Sequence, residues 1–555
     1  MTGTKRKWSV LLVALLLVAL ALAAAACGEE TTTTESPASS PVAGGTLNYP
    51  ISAEPGGITS WTVYESEGWQ VVHNTQEGLV KYVLQEDGSM KPTPNIAESY
   101  ESSDGKVWTI KIKQGVTFAP PVSREVTAQD FIDSWNFNTD PDLGDNYTCY
   151  ILAPIEGTDD SGYRTGATLT GVKKIDDYTI EVTLKYPFFD FPVTLGHPVS
   201  YVQPVEYIKQ IGAKKYREKP VGTGPYMVQK WTHNQSVALV KNPSWWQASA
   251  ENGPFLDAVA MKVYLNTNTE WLDFQKGTID WTDIPPGQVN AAENNAKVKD
   301  GTWSAKKWPN LGFYYTNINH KSTLLGGADK LPLRQALAYS ADTANIINVI
   351  NEGVSLPANG LVPVGIPGSD LSTLPYPYDL AKAKELVAQI GTVPELSYMF
   401  NTDLGHQKIA EALQAGWKQA GINVKLSNLE WNTFNKFQRT GAPESQLSRS
   451  GWLADYPSMD NFLYPLYQSK QQGLNGYSFW NNAEFDQLLQ QARATADETQ
   501  RLNLYAQAEK IALDDVCVIP IYFYREFRVW NSSRMQGMVY DPMSQMDFWK
   551  VWVNQ

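Results

Sequence analysis

The chain has 555 residues, of which 43% are hydrophobic, 12% aromatic and 19% charged, and this balance excludes a disordered polymer, a collagen-like fibre and a small disulfide-bonded scaffold. Its 45 lysines and arginines against 58 acidic residues give a formal net charge of −13, which argues against nucleic acid as a partner because such binding depends on cationic groups. At about 100 to 200 residues per domain, the length predicts two to four domains whose cores need no disulfide or structural metal.

The N-terminus has the pattern of an export signal. Basic residues at positions 5–7 precede the uncharged run 10–26, which ends in alanines directly before Cys27. The pattern resembles a bacterial lipoprotein signal, in which residues 1–26 are removed and the cysteine carries lipid. Residues 27–44 are rich in Ser, Thr and Pro and are predicted to be a flexible tether. An uncleaved membrane helix is the alternative, and both interpretations place the rest of the chain outside the cytoplasm.

Short strands and amphipathic helices alternate along the rest of the chain. Residues 46–49 predict a strand, and residues 107–112 and 179–184 alternate apolar and polar side chains as half-buried antiparallel strands do. This middle region is therefore predicted to be α+β. An exported compartment permits a disulfide between Cys149 and Cys517, and two unpaired buried thiols fit the sequence equally well.

A βαβ unit is the most informative segment. Residues 396–400 alternate as a strand, apolar residues in 409–417 recur every four positions as on a helix that ends at Gly421, and residues 422–426 alternate again. Such a crossover makes the two strands parallel, so both end at the same edge of the sheet. Ligands of open α/β sheets bind outside that carboxyl edge.

Four side chains are predicted to meet at this edge. His406 lies at the start of the helix and Trp431 just after the second strand, while Arg449 and Asp455 follow a third strand expected around residues 446–450. Because the strand ends share one edge, we expect these side chains to lie close together.

The chemistry of these side chains suits an extended zwitterion. His406, Arg449 and the N–H groups of a helix N-terminus favour a carboxylate, whereas Asp455 favours an ammonium group. Trp431 and Trp452 would add an aromatic wall. A short peptide is the simplest molecule with both charges, and recognition of its two termini implies broad specificity.

Ordered motifs run through the mature chain and carry a family resemblance. They are Glu77-Gly78-Leu79-Val80, Asp104-Gly105-Lys106-Val107-Trp108-Thr109, Val126-Thr127-Ala128-Gln129-Asp130-Phe131, Pro220-Val221-Gly222-Thr223-Gly224-Pro225-Tyr226, Gly277-Thr278-Ile279-Asp280, Leu333-Arg334-Gln335-Ala336-Leu337 and Gly451-Trp452-Leu453-Ala454-Asp455-Tyr456-Pro457. Over roughly residues 45–550 the chain resembles the extracellular solute-binding proteins of family 5, the peptide- and nickel-binding components of ABC importers. Within that family it is most similar to the oligopeptide-permease type.

The resemblance implies an α/β fold of the type II periplasmic-binding-protein class, with two lobes, a hinge and an extra α+β domain. Lobe I would combine 45–76 with 200–312 and 519–555, the accessory domain would be 77–199, and lobe II would be 313–518. The hinge is expected near residues 312 and 518.

The resemblance also implies roles for individual residues. In the oligopeptide-permease type, the aspartate of the Gly-Trp-x-x-Asp segment binds the peptide ammonium, and an arginine and a histidine are associated with the carboxylate of shorter peptides. Asp455, Arg449 and His406 hold these positions. The further ligand contacts implied are Trp431, Trp452, Gly451, Leu453, Arg439, Tyr147 and Asp283. Some members have a disulfide at the position of Leu453, and this chain lacks it.

The function implied is that of a monomeric, lipid-anchored receptor on the outer face of the cell membrane or in the periplasm. It would capture short oligopeptides and deliver them to an ABC permease. A non-peptide solute, such as an oligosaccharide, a nickel chelate or an opine-like compound, is one alternative, and an exported peptidase or glycosidase is another. No HExxH, GxSxG, CxxC or GxxxxGK[ST] motif occurs, so we expect no catalysis, no resident metal or cofactor and no ATPase activity.

The same side chains also have structural interpretations. Trp431 and Trp452 are candidates for core residues, Arg449 for a structural ion pair, and Asp455 for the cap of the turn at Tyr456-Pro457. The acidic segment 140–145 lacks the other ligands of an EF-hand loop and is predicted to be a solvated turn.

Overall fold

The computed structural model describes residues 40–144, 146, 148–369 and 374–554. The chain divides into two units, residues 1–41 and 42–555, and the fold described below belongs to the second. The predicted signal peptide, Cys27 and Tyr147 lie outside the described residues. Among the helices that are described, none is long and apolar enough to cross a membrane.

The strands are spread over the whole of the second unit. In chain order they are β1 Thr46–Ile51, β2 Val80–Leu84, β3 Met90–Pro94, β4 Ala97–Glu101, β5 Val107–Ile112, β6 Val172–Asp176, β7 Thr179–Thr183, β8 Tyr226–Thr232, β9 Ser236–Lys241, β10 Ala258–Val263, β11 Trp281–Asp283, β12 Ser304–Ile318, β13 Leu356–Pro357, β14 Leu396–Asn401, β15 Val424–Leu429, β16 Leu447–Leu453, β17 Val518–Trp530, β18 Met535–Gln536 and β19 Trp552–Val553.

The longer helices lie mainly in the second half of the chain. In chain order the α-helices are α1 Ser66–Thr75, α2 Ala128–Asn138, α3 Phe191–Thr194, α4 Val205–Ile211, α5 Ala213–Glu218, α6 Thr267–Gln275, α7 Val289–Glu293, α8 Ala296–Lys299, α9 Leu331–Tyr339, α10 Thr343–Asn345, α11 Leu380–Ile390, α12 Leu404–Ala420, α13 Trp431–Thr440, α14 Met459–Tyr467, α15 Ala483–Arg493 and α16 Glu498–Asp514. Single helical turns connect some of them, among them Cys149–Leu152.

Two four-stranded sheets occupy the first half of the chain. One has the order β1-β10-β9-β8, with β1 parallel to β10, and the other has the order β4-β5-β7-β6 and is antiparallel throughout. In the second sheet, β5 buries Trp108, Ile110 and Ile112 and exposes the residues between them. The strands predicted at 107–112 and 179–184 are thus confirmed, and they pair with each other directly.

A larger sheet carries the second half of the chain. Its order is β11-β17-β12-β16-β14-β15, with β13 paired to β17. The long strands β12 and β17 run antiparallel, and their register shifts between Pro309 and Phe313. Alternate residues of β12 enter different cores, because Phe313 and Tyr315 pack in one hydrophobic cluster and Tyr314 packs in another. Helices therefore cover both faces of this sheet.

The predicted βαβ unit is confirmed as β14, α12 and β15. Leu396 of β14 pairs in parallel with Val424 of β15, and the helix buries Ile409, Leu413 and Trp417. Gly421 ends the helix in the left-handed region at φ 93°, where glycine has no steric penalty. The third strand, β16, lies parallel to β14 on its other side, so all three strands end at the same edge.

The third strand is longer than the sequence pattern predicted. It was expected around residues 446–450, but β16 extends from Leu447 to Leu453, because its seven residues form a continuous ladder with Gly312–Ile318 of β12. The expectation that Arg449 follows the strand is therefore wrong: Arg449 lies within it, and only Asp455 lies beyond its end.

The hydrophobic cores do not follow the predicted domain boundaries at every point. The core of the β4-β5-β7-β6 sheet extends past residue 199 to Val202, Val205 and Tyr216. The domain boundaries remain a prediction. Cys149 and Cys517 are both buried and both free, which decides between the two alternatives left open for them.

Candidate functional site

Arg449 of β16 lies on the same face of the sheet as Tyr314 of β12. Its guanidinium carbon is 5.3 Å from the ring centroid of Tyr314, and its Cα partner across β12 and β16 is Thr316. No carboxylate forms an ion pair with Arg449 within the described part of the chain, and its Nε has no hydrogen-bond partner there. A mostly buried cation without a counter-ion favours an anionic ligand over a structural ion pair.

His406 lies beside this cation at the start of α12. Asp403 caps the helix by accepting a hydrogen bond from the backbone N–H of His406 at 2.9 Å, which holds the histidine in the first turn. Its Nδ1 is 3.4 Å from the hydroxyl of Tyr314. Burial and the nearby Arg449 lower the pKa of His406 to about 4, so the ring is neutral at pH 7 and offers one N–H as a donor.

Asp455 follows the end of β16 and faces a different part of the chain. Its carboxylate accepts a short hydrogen bond from the hydroxyl of Tyr150, which lies 305 positions away, so it does not serve merely to cap its own turn. The side chain of Asn461 accepts from the backbone N–H of Asp455 at 2.9 Å. Burial raises the pKa of Asp455 to about 6, and no cationic side chain among the described residues pairs with it. The carboxylate is thus desolvated and lacks a positive partner.

The structure groups the predicted residues into two clusters. Arg449 and His406 share Tyr314, while Asp455 and Trp452 share Asn461, whose Oδ1 accepts from the Trp452 indole at 3.1 Å. Arg449 and Asp455 are six positions apart, and at about 3.3 Å per residue these positions span at most roughly 20 Å. The two charges of opposite sign therefore lie in different clusters whose Cα positions are at most about 20 Å apart.

Trp431 and Trp452 do not form the single aromatic wall that the sequence suggested. Trp452 occupies the face of β16 opposite Arg449, because side chains alternate along a strand, and its ring packs beside the core that contains Phe313. Trp431 is the first residue of α13, is 49% exposed and packs against Phe434. No described contact joins the two tryptophans.

Gly451, Leu453 and Arg439, which were also predicted as ligand contacts, have different surroundings. Gly451 leaves room for a neighbour, because a Cβ on it would be 2.5 Å from the hydroxyl of Tyr524, and Leu453 is half exposed at the end of β16. Arg439 is exposed on α13 and lines a cavity of about 180 Å³ together with Tyr150.

Asp283 is not brought to the other predicted residues. It ends β11 and forms an ion pair with Arg528. Both residues line a separate cavity of about 160 Å³, which none of the residues around Arg449 or Asp455 lines. The geometry therefore does not support the ligand contact that the resemblance implied for Asp283.

Several tyrosines of the site were missed by the sequence reasoning. Tyr522 and Tyr524 are two positions apart on β17, and this period would have placed them on one face of a strand. Tyr314 stacks on Tyr522 with ring centroids 5.0 Å apart. Tyr150 carried no sequence signal, since its contact with Asp455 is entirely tertiary.

The described residues were also compared with the requirements of a metal site. Among them, no group of three or more histidine, cysteine or acidic side chains is placed to hold a metal ion. Burial lowers the pKa of His320 to about 4 and that of His197 to about 3. The arrangement around Arg449 and Asp455 can bind charged groups of opposite sign.

Comparisons with known proteins identify the family to which the chain belongs. The sequence model of the bacterial extracellular solute-binding proteins, family 5, matches residues 91–473. The oligopeptide-binding protein OppA of Bacillus subtilis is 31% identical over 520 residues, which cover 91% of this chain and 92% of that protein. The heme-binding protein A of Haemophilus influenzae is 27% identical over 529 residues, which cover 92% of this chain and 91% of that protein.

A solved structure extends the likeness to three dimensions. The periplasmic binding protein DppA of Helicobacter pylori, determined in complex with the peptide STSA, has a TM-score of 0.74 and 25% sequence identity. The match covers 93% of this chain and 99% of that one. The expected α/β fold of the type II periplasmic-binding-protein class is thereby confirmed.

Proposed function

Because the chain belongs to the bacterial extracellular solute-binding proteins of family 5, we propose that it captures short oligopeptides outside the cytoplasm and delivers them to an ABC importer. One observation carries the proposal: the site holds a mostly buried cation and a mostly buried carboxylate, Arg449 and Asp455, and no described residue forms an ion pair with either of them. A zwitterionic chain with an ammonium group at one end and a carboxylate at the other would complete both charges.

The two ends supply most of the binding energy in this scheme. The peptide ammonium donates to Asp455, and the peptide carboxylate accepts from Arg449 and from the neutral ring of His406. Each charge-assisted contact contributes about 1.5–3 kcal/mol, and micromolar affinity requires about 8 kcal/mol. Backbone contacts and apolar burial would provide the remainder, so side chains of the peptide are read only weakly and specificity is broad.

The site also provides for closure around the ligand. Tyr150 comes from the region 77–199 and Asp455 from the region 313–518, so a ligand at Asp455 contacts both. The proposed hinge position near residue 312 is supported by the register shift between Pro309 and Phe313 of β12, whereas Val518 at the start of β17 pairs regularly with Asn317. Ligand binding would favour the closed arrangement because only that arrangement joins the two regions.

The remaining properties follow from the same proposal. The family consists of solute-binding proteins, and we propose that this member performs no catalysis, acts as a monomer and is held at the outer face of the cell membrane by lipid on Cys27. Its partners would be the peptide and the membrane subunits of the permease.

A non-peptide solute is the second candidate, because the heme-binding protein A is similar over nearly its whole length. A ligand of that kind has no ammonium terminus and would leave Asp455 unpaired. The presence of both unpaired charges therefore favours the peptide.

Titration calorimetry tests the proposal on protein freed of carried-over ligand by unfolding and refolding. A tripeptide and its N-acetylated form are titrated into the wild type and into Asp455→Asn. We expect the free peptide to bind the wild type, and the acetylated peptide to bind at least about thirtyfold more weakly, because an unpaired buried charge costs about 2 kcal/mol or more.

The variant should bind the free peptide with a similar loss. Asp329→Asn is the matched control, since Asp329 is an exposed carboxylate paired only with its neighbour Lys330, and it should leave the affinity unchanged. Equal binding of free and acetylated peptides, or no binding of either, would exclude peptide recognition through Asp455 and favour the non-peptide solute.

A further inference from the structure

A pair of short helices carries a concentration of positive charge. Residues 205–219, which contain α4 and α5, hold five basic and two acidic residues in a chain whose formal net charge is −13. The four lysines of this segment are all exposed, and we call them the lysine face: Lys209, Lys214, Lys215 and Lys219. The segment is therefore a basic patch on an acidic molecule.

The opposite side of the same helices fixes the lysine face at the surface. Val205, Ile208 and Tyr216 are buried in the core of the β4-β5-β7-β6 sheet. The fifth basic residue, Arg217, has its guanidinium carbon 5.8 Å from the ring centroid of Trp61 and is not part of the face. Because the buried side chains anchor both helices, the four lysines share the solvent side of a packed scaffold.

The charges of the lysine face are available to a partner. Among the described residues, none of the four lysines has a carboxylate in ion-pair distance. The two acidic residues of the segment contact other side chains, since Glu206 pairs with Arg124 at 2.6 Å and Glu218 lies 2.9 Å from His233. The carboxylates nearest in sequence therefore do not neutralise the four ammonium groups.

An anionic membrane is the partner that this charge distribution fits. The acidic remainder of the molecule is repelled by such a membrane, whereas lysines within about 10 Å of its surface are attracted at 0.1 M salt. An acidic protein loop would attract lysines as well. The membrane is the better candidate, because the lipid anchor proposed at Cys27 keeps it within reach at all times.

The proposed tether is long enough to allow this contact. It enters the fold at β1, and beyond the other end of β1 lies Glu54, whose carboxylate contacts His233, which also contacts Glu218 of α5. β1 is about 20 Å long, whereas residues 27–44 would span up to roughly 60 Å when extended. The tether therefore permits several orientations, and the surface charge would select among them.

We propose that the lysine face docks on the anionic phospholipid headgroups of the membrane that carries the anchor, and so sets which side of the protein faces that membrane. The proposal rests on the lipid anchoring proposed above and goes beyond the peptide-binding function. A fixed orientation would restrict the rotations that the receptor must sample before it meets a permease in the same membrane.

Energy transfer to the membrane surface tests this orientation in the full lipidated protein. Gln210→Cys allows a dye to be attached to exposed α4, and Gln389→Cys allows the same dye on exposed α11 in a separate sample. Cys149 and Cys517 are buried and should not be labelled. Each protein is placed in vesicles of phosphatidylcholine, alone or mixed with phosphatidylglycerol, that carry an acceptor dye on the headgroups.

Two charge variants separate the lysine face from net charge. The first carries Lys209→Gln, Lys214→Gln, Lys215→Gln and Lys219→Gln. The matched control changes four other exposed lysines that have no printed contact with a carboxylate among the described residues: Lys384→Gln, Lys408→Gln, Lys418→Gln and Lys425→Gln. Both variants lose the same charge, and only the first alters the proposed contact.

We expect transfer from position 210 to be higher in anionic than in neutral vesicles and to exceed transfer from position 389. The lysine-face variant should lose this increase, and the control variant should keep it. Salt at about 1 M, where the Debye length is about 3 Å, should abolish it.

Equal transfer from position 210 in both kinds of vesicle would overturn the proposal, as would an increase that persists without the lysine face. An increase that both variants lose to the same extent would also overturn it, because net charge would then be responsible. A protein that stays in neither kind of vesicle overturns the anchoring and the docking together. Calorimetry with a tripeptide should give the same affinity for both variants as for the wild type, so the peptide-binding function is decided independently.

Discussion

Burial gives two titratable residues of the site opposite shifts. It raises the pKa of Asp455 to about 6 and contributes to lowering that of His406 to about 4, since desolvation disfavours the charged form of each. At pH 7 Asp455 is mostly ionised and has no cationic partner among the described residues, so its charged form is less stable than that of an exposed aspartate. An ammonium ligand reverses this, because it stabilises the carboxylate and lowers its pKa.

This linkage predicts that peptide affinity falls as the pH drops. The ligand requires ionised Asp455, and with a pKa of about 6 the ionised fraction of the empty site falls roughly tenfold between pH 7 and pH 5. We therefore expect the dissociation constant to rise about tenfold over that range in calorimetric titrations. His406 acts in the opposite sense only near pH 4, where it gains charge beside the ligand carboxylate.

Asp455→Asn is the control for that prediction, because its weakened binding should vary little between pH 7 and pH 5. A wild-type affinity that stays constant over this range would contradict the assigned role of Asp455.

At the scale of elements, a buried ion pair holds the helix that follows Asp455. Arg493 of α15 donates from Nε and Nη2 to the two carboxylate oxygens of Asp460 at 2.7 Å each, and the Tyr456 hydroxyl donates to the same carboxylate at 2.8 Å. Asp460 is completely buried and Arg493 nearly so. The pair fixes the start of α14, and with it Asn461, which positions the backbone of Asp455.

Breaking this pair should be costly. Asp460→Asn leaves Arg493 as a buried, incompletely paired cation, and we expect a loss of about 3–5 kcal/mol in the free energy of unfolding, measured by denaturant titration. The surface pair of Lys510 and Asp514 is the comparison, because both side chains are mostly exposed and Asp514→Asn should cost less than about 1 kcal/mol. Similar losses for the two variants would show that the buried pair has no special part in stability.

Prediction from sequence succeeded for helices and strands whose sequence pattern depends only on residues close together in the chain. The unit β14, α12 and β15 follows from periodicity and from Gly421, and these features depend on near neighbours in the chain. The length of β16 was underestimated because it depends on β12, more than a hundred positions away. Pairing between distant strands leaves only a weak mark on the sequence of either strand.

At the scale of the whole second unit, three contacts near the site join regions that are distant in sequence. Asp190 pairs with Nε of Arg501 at 2.8 Å and accepts from Ser458 at 3.0 Å, and Tyr150 donates to Asp455. All three link residues of 77–199 to residues of 313–518. If the ligand closes the protein about the register shift in β12 and β17, these contacts form on closure.

Hydrogen–deuterium exchange would detect such closure. We expect a bound tripeptide to slow amide exchange in the segments 148–152, 186–193 and 455–461, because their backbone becomes buried between the two regions. The same peptide concentration should produce no slowing in Asp455→Asn, whose site does not retain the ligand. Protection confined to the surroundings of Arg449 would contradict ligand-driven closure.

The sequence by itself determined the family, the fold class and the candidates Asp455, Arg449 and His406. Ordered motifs and local periodicity involve residues that are close together in the chain, so they can be recognised without the tertiary structure. Only the tertiary structure decided which side chains share a site. It placed Tyr150 on Asp455 across 305 positions, paired Asp283 with Arg528 away from the other candidates, and brought Tyr314 beside Arg449 and His406. Such contacts depend on strand pairing and packing over long chain separations, for which individual residue types carry no signal.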